Sequence, residues 1–178
     1  LSLDSLELEF ENKNKLFNRI KLTKGKDYNL TGVLFDASNI INHVLKSNKK
    51  NIRIFKNLNT KIVVDLDKLY IDNLSFVNKL NGSVNIYNGK IIDLNFKSYF
   101  SNKEVLSLNL RTTQNNEKVT TLSTKYPKPL INRYKFIKGF EEGIFDFQSI
   151  KKDGKSKSLL IIDNFKVKEV PVLAKILT

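Results

Sequence analysis

Hydrophobic and polar residues alternate along most of this chain. Leu6, Leu8 and Phe10 interleave with Glu7, Glu9 and Glu11. Ile62, Val64 and Leu66 alternate with Val63, Asp65 and Asp67, and Leu69 and Ile71 resume the pattern after a one-residue slip. Val84 and Ile86 lead into Asn88-Gly89, and Ile92, Leu94 and Phe96 follow it. Leu106, Leu108 and Leu110 alternate with Ser107, Asn109 and Arg111; Phe145 and Phe147 precede a Lys/Gly/Ser turn over 151–158, and Leu160 and Ile162 come after it. A period of two puts one set of side chains on one face of a strand. Asn-Gly tolerates the positive φ angles of a tight hairpin turn. The pattern therefore predicts a mainly β fold, an antiparallel meander of hairpins with one apolar and one polar face. By parity, Ile62, Val64, Leu66, Val84, Ile86, Leu94, Phe96, Leu106, Leu108, Leu110, Phe145, Phe147, Leu160 and Ile162 share the apolar face. A one-residue slip in register would turn any of these strands inside out.

Three short stretches follow a helical period instead. In 36–45, Ile40, Ile41, Val44 and Leu45 line one face, with Asp36 or Ser38 placed to cap. In 127–137, Leu130, Ile131 and Tyr134 line up behind Pro129, which suits a first helical turn. In 170–177, Val172, Leu173, Ile176 and Leu177 follow Pro171 in the same way. Helices this short and irregularly placed read as plugs or lids on a sheet, not as the crossovers of an α/β fold.

Composition narrows the chemistry. The 178 residues carry 31 Lys+Arg against 18 Asp+Glu, a formal charge of +13. Only Arg19, Arg53, Arg111 and Arg133 are arginines, and the charge is dispersed, with no terminal basic arm. Readers of nucleic acid favour the bidentate guanidinium, so the basic balance is assigned to solvated strand faces and no nucleic-acid partner is expected. Two denser groups exist: Lys125, Lys128, Arg133, Lys135 and Lys138, and Lys151, Lys152, Lys155 and Lys157 around Asp153-Gly154. Either would suit lipid head groups or nucleic-acid phosphates. With no Cys and one histidine, His43, disulfides, thiol nucleophiles and multi-histidine metal sites are excluded. Asp65 and Asp67 fall on a polar strand face, and Glu141 and Glu142 on a turn between Gly139 and Gly143, so neither carboxylate pair is expected to do acid–base work. No phosphate-binding loop, nucleophile elbow or zinc-helix motif occurs. The expectation is a non-enzymatic protein with no catalytic residue, no metal and no cofactor. No apolar run reaches the roughly 18 residues of a membrane span. The chain starts at Leu1 inside a strand-like pattern and stops at Thr178 inside a helix-like one, as a single segment of a longer protein would.

The C-terminal half resembles a known family. Leu160-Ile161-Ile162-Asp163-Asn164-Phe165-Lys166-Val167-Lys168-Glu169-Val170-Pro171-Val172-Leu173-Ala174-Lys175-Ile176-Leu177 is similar to a recurring signature of the AsmA-like superfamily, which includes large YhdP- and TamB-type envelope proteins. There a strand ends in a Phe-x-Val/Leu step and leads to a small-Pro-Val-Leu-Ala helix start. Val170 stands here where that family has a small residue. The run from Pro129 to Ile137, followed by Gly139-Phe-Glu-Glu-Gly143 and Ile144 to Phe147, resembles the family's short helix, glycine turn and outgoing strand. The order of strand, short loop, Leu80-x-Gly82, strand, Asn-Gly turn and strand over 65–96 is similar too, and the likeness covers roughly 60–178. It implies a curved, taco-like antiparallel groove in a periplasm-facing protein anchored in the bacterial inner membrane by a part of the chain outside this segment. It also implies phospholipid acyl chains in the groove, passage toward the outer membrane, and envelope proteins as partners. The fourteen apolar residues above would then line the groove. The other reading of the same pattern is a structural β-domain of an envelope assembly factor, its apolar face closed by neighbouring modules and without a lipid path.

Overall fold

The structure is a computed structural model that describes residues 3–46, 58–134 and 140–167. Ten strands form one sheet in sequence order: β1 (Ser5–Glu11), β2 (Phe17–Lys24), β3 (Tyr28–Asp36), β4 (Thr60–Tyr70), β5 (Phe76–Tyr87), β6 (Lys90–Tyr99), β7 (Val105–Thr112), β8 (Lys118–Thr124), β9 (Phe140–Lys152) and β10 (Lys155–Val167). Helix α1 (Ser38–Lys46) lies between β3 and β4, and α2 (Lys128–Tyr134) between β8 and β9. The sheet is open, with β1 and β10 as its edges, and is not closed into a barrel. The mainly β, mostly antiparallel architecture expected from the alternation is the one observed.

Turn chemistry sets the registers. Asn88 and Gly89, at φ 47° and 68°, and Asp153 and Gly154, at 48° and 78°, form the two-residue turns of the β5–β6 and β9–β10 hairpins. Three further hairpins share another device. In Asn12–Leu16, Phe100–Glu104 and Thr113–Glu117, the first residue's amide bonds the last residue's carbonyl, and its own carbonyl accepts from the fourth residue's amide. The fourth residues, Lys15, Lys103 and Asn116, take φ of 58°, 66° and 57°. A lysine at such a position carries no turn signal that sequence reading recognises.

Four features differ from the sequence reading. First, β3 and β4 pair in parallel, Leu30 opposite Val64 and Gly32 opposite Leu66, so α1 lies on a crossover connection after all. Second, β2, β3 and β8 are strands that the alternation did not single out. Third, a bulge between Asn85 and Ile86 brings Ile91, not Ile92, opposite Ile86, and leaves Ile92 exposed. Fourth, Gly82 and Gly143 lie inside β5 and β9 and mark no loop or turn; Glu141 and Glu142 are accordingly strand residues. The slip foreseen after Leu66 is present. On β4 the inward set passes from Leu66 to Leu69, and on β5 from Leu80 to Val77 across Lys79, which has φ 51°.

Both helices sit at one end of the sheet. Ile131 of α2 is fully buried in a cluster with Ile71, Val77, Phe100, Leu130, Phe140 and Phe145, against which Ile41 of α1, Leu106, Leu122 and Phe147 also pack. The expected plug role of α2 is borne out, with its first turn closed by the Ile131 amide on the Pro127 carbonyl at 2.9 Å. At the start of α1 the Ser38 amide donates to Asp36 Oδ1 at 2.9 Å, so Asp36 caps. Asn18, fully buried, fastens this junction: its Oδ1 accepts from the Asp36 amide at 2.6 Å and its Nδ2 donates to the Leu16 carbonyl at 2.9 Å. Asn12 Nδ2 donates to Asp36 Oδ2 at 2.5 Å from the neighbouring turn. A second cluster, Val64, Leu66 and Leu80 with Ile20, Leu30, Phe35, Ile62 and Phe96 against it, fills the centre of β2 to β6. The helix expected over 170–177, with Pro171, Val172, Leu173, Ala174 and Leu177, lies outside the described residues, as do Lys135 and Lys138.

Candidate functional site

Residues opposite one another across a sheet share a face, so the registers can be followed from edge to edge. Leu6 of β1 lies opposite Leu22, Leu22 opposite Leu30, Leu30 opposite Val64 and Val64 opposite Gly82. The line continues through Phe96, Leu108, Leu122 and Phe147 to Leu160 of β10. One apolar rung thus crosses all ten strands with a single interruption, Gly82. That position admits no side chain: a Cβ there would stand 1.9 Å from the Asn95 carbonyl oxygen and 2.7 Å from Phe96 Cδ1. The glycine lets β5 and β6 close up under the Phe96 ring.

The fourteen residues expected to share a face all do so. Ile62, Val84, Leu94 and Leu110 form the next rung on one side, continuing through Thr120 and Ser149 to Ser158. On the other side Leu106, Thr124, Phe145 and Ile162 form a rung, and Leu66 lies in the same direction on β4. Their burial differs. Val64, Leu66, Ile86 and Phe145 are buried, whereas Ile62, Val84, Leu94, Phe96, Leu106, Leu108, Leu110, Phe147 and Ile162 are half-buried and Leu160 is exposed. At the opposite edge Leu6, Leu8 and Phe10 are each more than 40% exposed. The face is therefore deep near β4 and near α2, and open toward both edges. Leu22, Leu30 and Leu122 belong to it as well; the weak Thr-rich alternation of β8 concealed Leu122.

Polarity changes along the strands. Beyond the Leu110 rung, away from the helices, Thr112 lies opposite Lys118 and Lys118 opposite Lys151, which faces Ser156. Lys118 Nζ donates to the Ile91 carbonyl at 2.8 Å. Burial, then the neighbouring charges of Lys90 and Lys151, holds the Lys118 ammonium below the usual lysine pKa. The reverse face is mainly polar. It carries Glu7 and Glu9 bridged to Arg19, at 3.5 and 2.7 Å, and the exposed Asp65 and Asp67. Leu159 and Ile161 of the edge strand β10 are exposed exceptions.

Asp65 and Asp67 lie exposed on the reverse face. Glu142 pairs with Lys166 at 3.0 Å, and both are largely exposed. The backbone of His43 lies in α1. Among the described residues no three His, Cys, Asp or Glu side chains gather as a metal site would require, and no helix is long and apolar enough to cross a membrane. Neither family models, curated proteins nor solved structures give a match to this chain.

Proposed function

We propose that this chain is a segment of a periplasm-facing AsmA-like protein, anchored in the bacterial inner membrane by other parts of that protein. In this reading its apolar sheet face binds or conducts phospholipid acyl chains between inner and outer membranes, and envelope proteins meet it at the ends of the groove. The observation that carries the proposal is the rung from Leu6 to Leu160, apolar on every strand but one and still solvent-accessible along much of its length. A face of that extent exposes apolar area that folding normally removes from water. Hydrocarbon chains would cover it without needing any fixed polar geometry. No side-chain chemistry is required for such a task, and lipid would move along a surface of nearly uniform character. Lysines at the groove's end would meet phosphates as point charges.

Native mass spectrometry after incubation with phosphatidylethanolamine and phosphatidylglycerol vesicles tests this. Retained phospholipid, lost when Leu108 and Phe96 are replaced by Asp in a variant that still folds, is the expected result. Consistent absence of bound lipid would favour the structural β-domain instead.

A further inference from the structure

We infer that the end of the groove opposite the helices holds the phosphate of an anionic lipid headgroup, gripped by Lys118 and Lys151 with Lys90 beside them. The inference rests on the acyl-chain reading above and adds to it a direction for the bound molecule. Its basis is a juxtaposition that folding alone disfavours. Lys118 and Lys151 lie directly opposite on neighbouring strands, on the apolar side of the sheet, and like charges in that relation are destabilising. Lys118 is half-buried, its ammonium bonded to the carbonyl of Ile91, the residue after Lys90. No described carboxylate stands within ion-pair distance of Lys90, Lys118 or Lys151; the adjacent Glu117 is taken by Lys152 at 3.2 Å. The last two rungs on this side of β6 to β10 contain no acid, and they supply the hydroxyls of Thr120, Ser149 and Ser158 just inside the lysines. The proton affinity of Lys118 is lowered first by burial and then by the positive charges of Lys90 and Lys151.

Read along β8, the face passes from Leu122 through Thr120 to Lys118. Four residues of strand span about 13 Å, so hydrocarbon, hydroxyl and ammonium follow one another in the order of an amphiphile's own parts. A phosphate between Lys118 and Lys151 would relieve their repulsion and accept from the remaining ammonium protons and the serine hydroxyls. The compact ammonium imposes no fixed fork on its ligand, as suits a headgroup that is held and released.

Titration of the chain at low salt with dihexanoyl phosphatidic acid, dihexanoylglycerol and inorganic phosphate separates the possibilities. The double variant Lys118→Gln/Lys151→Gln is expected to bind the phosphatidic acid about tenfold more weakly. Its binding of dihexanoylglycerol should be unchanged and its melting temperature no lower. The exposed single change Lys151→Gln, expected to weaken binding about threefold, carries the test if the double variant does not fold. Phosphatidic acid binding by both variants equal to that of the parent chain would overturn the headgroup site. Inorganic phosphate binding as tightly as phosphatidic acid would overturn the lipid source in favour of a free phosphate. Failure of dihexanoylglycerol to bind the unaltered chain would instead overturn the acyl-chain reading, whatever the lysines do.

Discussion

Replacing Ile131 with Ala probes the division between packed end and open face. Ile131 is 0% exposed, so the change removes three carbons from full burial in the cluster formed by α2, β5 and β9. At about 0.8 kcal/mol per buried methylene the transfer loss is about 2.4 kcal/mol, and the cavity left behind brings the total to about 3–4 kcal/mol. For a chain of this size each kcal/mol shifts the melting temperature by about 2–4 °C, so a drop of about 6–16 °C is expected. Leu108→Ala, on the half-buried part of the apolar rung, should cost about 1 kcal/mol, because much of that side chain is already in contact with water. Urea unfolding of both variants beside the parent chain measures the two values. An Ile131→Ala cost below about 0.5 kcal/mol would refute the plug role of α2. Equal costs at the two positions would refute the open face and make the sheet a closed core.

Three further outcomes follow from the geometry. Asn18→Ala strands the Asp36 amide at the entry to α1 and leaves the Leu16 carbonyl only its bond from the Asn12 amide, and should lower stability by about 1–3 kcal/mol, measured by urea unfolding. Gly82→Ala pushes a Cβ into the Asn95 carbonyl and should cost at least about 2 kcal/mol, with hydrogen exchange quickening on β5 and β6 before the other strands. Lys118 has its folded-state pKa below 10.5, so its charged form opposes folding at neutral pH. Stability should rise with pH from that lowered value up to 10.5, and the rise should be smaller in Lys118→Gln when melting is followed between pH 8 and 10.5.

Much of this architecture was legible in the sequence because one-sided burial writes period two directly into it. The paired rungs of Leu94, Leu110 and Val84, or of Phe147 and Leu160, follow from parity alone once the hairpin turns at Asn88-Gly89 and Asp153-Gly154 are recognised. The turns closed by Lys15 and Lys103 left no mark, since lysine at positive φ carries no turn signal; the alternation alone marked β1, β6 and β7 beside them, while β2 was missed. The parallel β3–β4 pair was hidden for another reason. Register across a crossover is set by side chains 30 or more residues apart, such as Leu30 against Val64, and not by a local turn. Of the lysine end, Lys151 stood out in the group around Asp153-Gly154, whereas nothing local tied Lys118 to it. Lys118 and Lys151 stand 33 positions apart, and only the registers of β8 and β9 place them opposite each other.

Lipid crosslinking from neighbouring positions of β7 addresses the central claim most directly. Leu108 faces the apolar rung and Asn109 the reverse face, one residue apart and on opposite sides of the same strand. With benzoylphenylalanine installed at either position and the chain irradiated with phospholipid vesicles, the account predicts a lipid adduct from position 108 and little or none from position 109. Adducts of equal yield from both positions, or from neither, would contradict it.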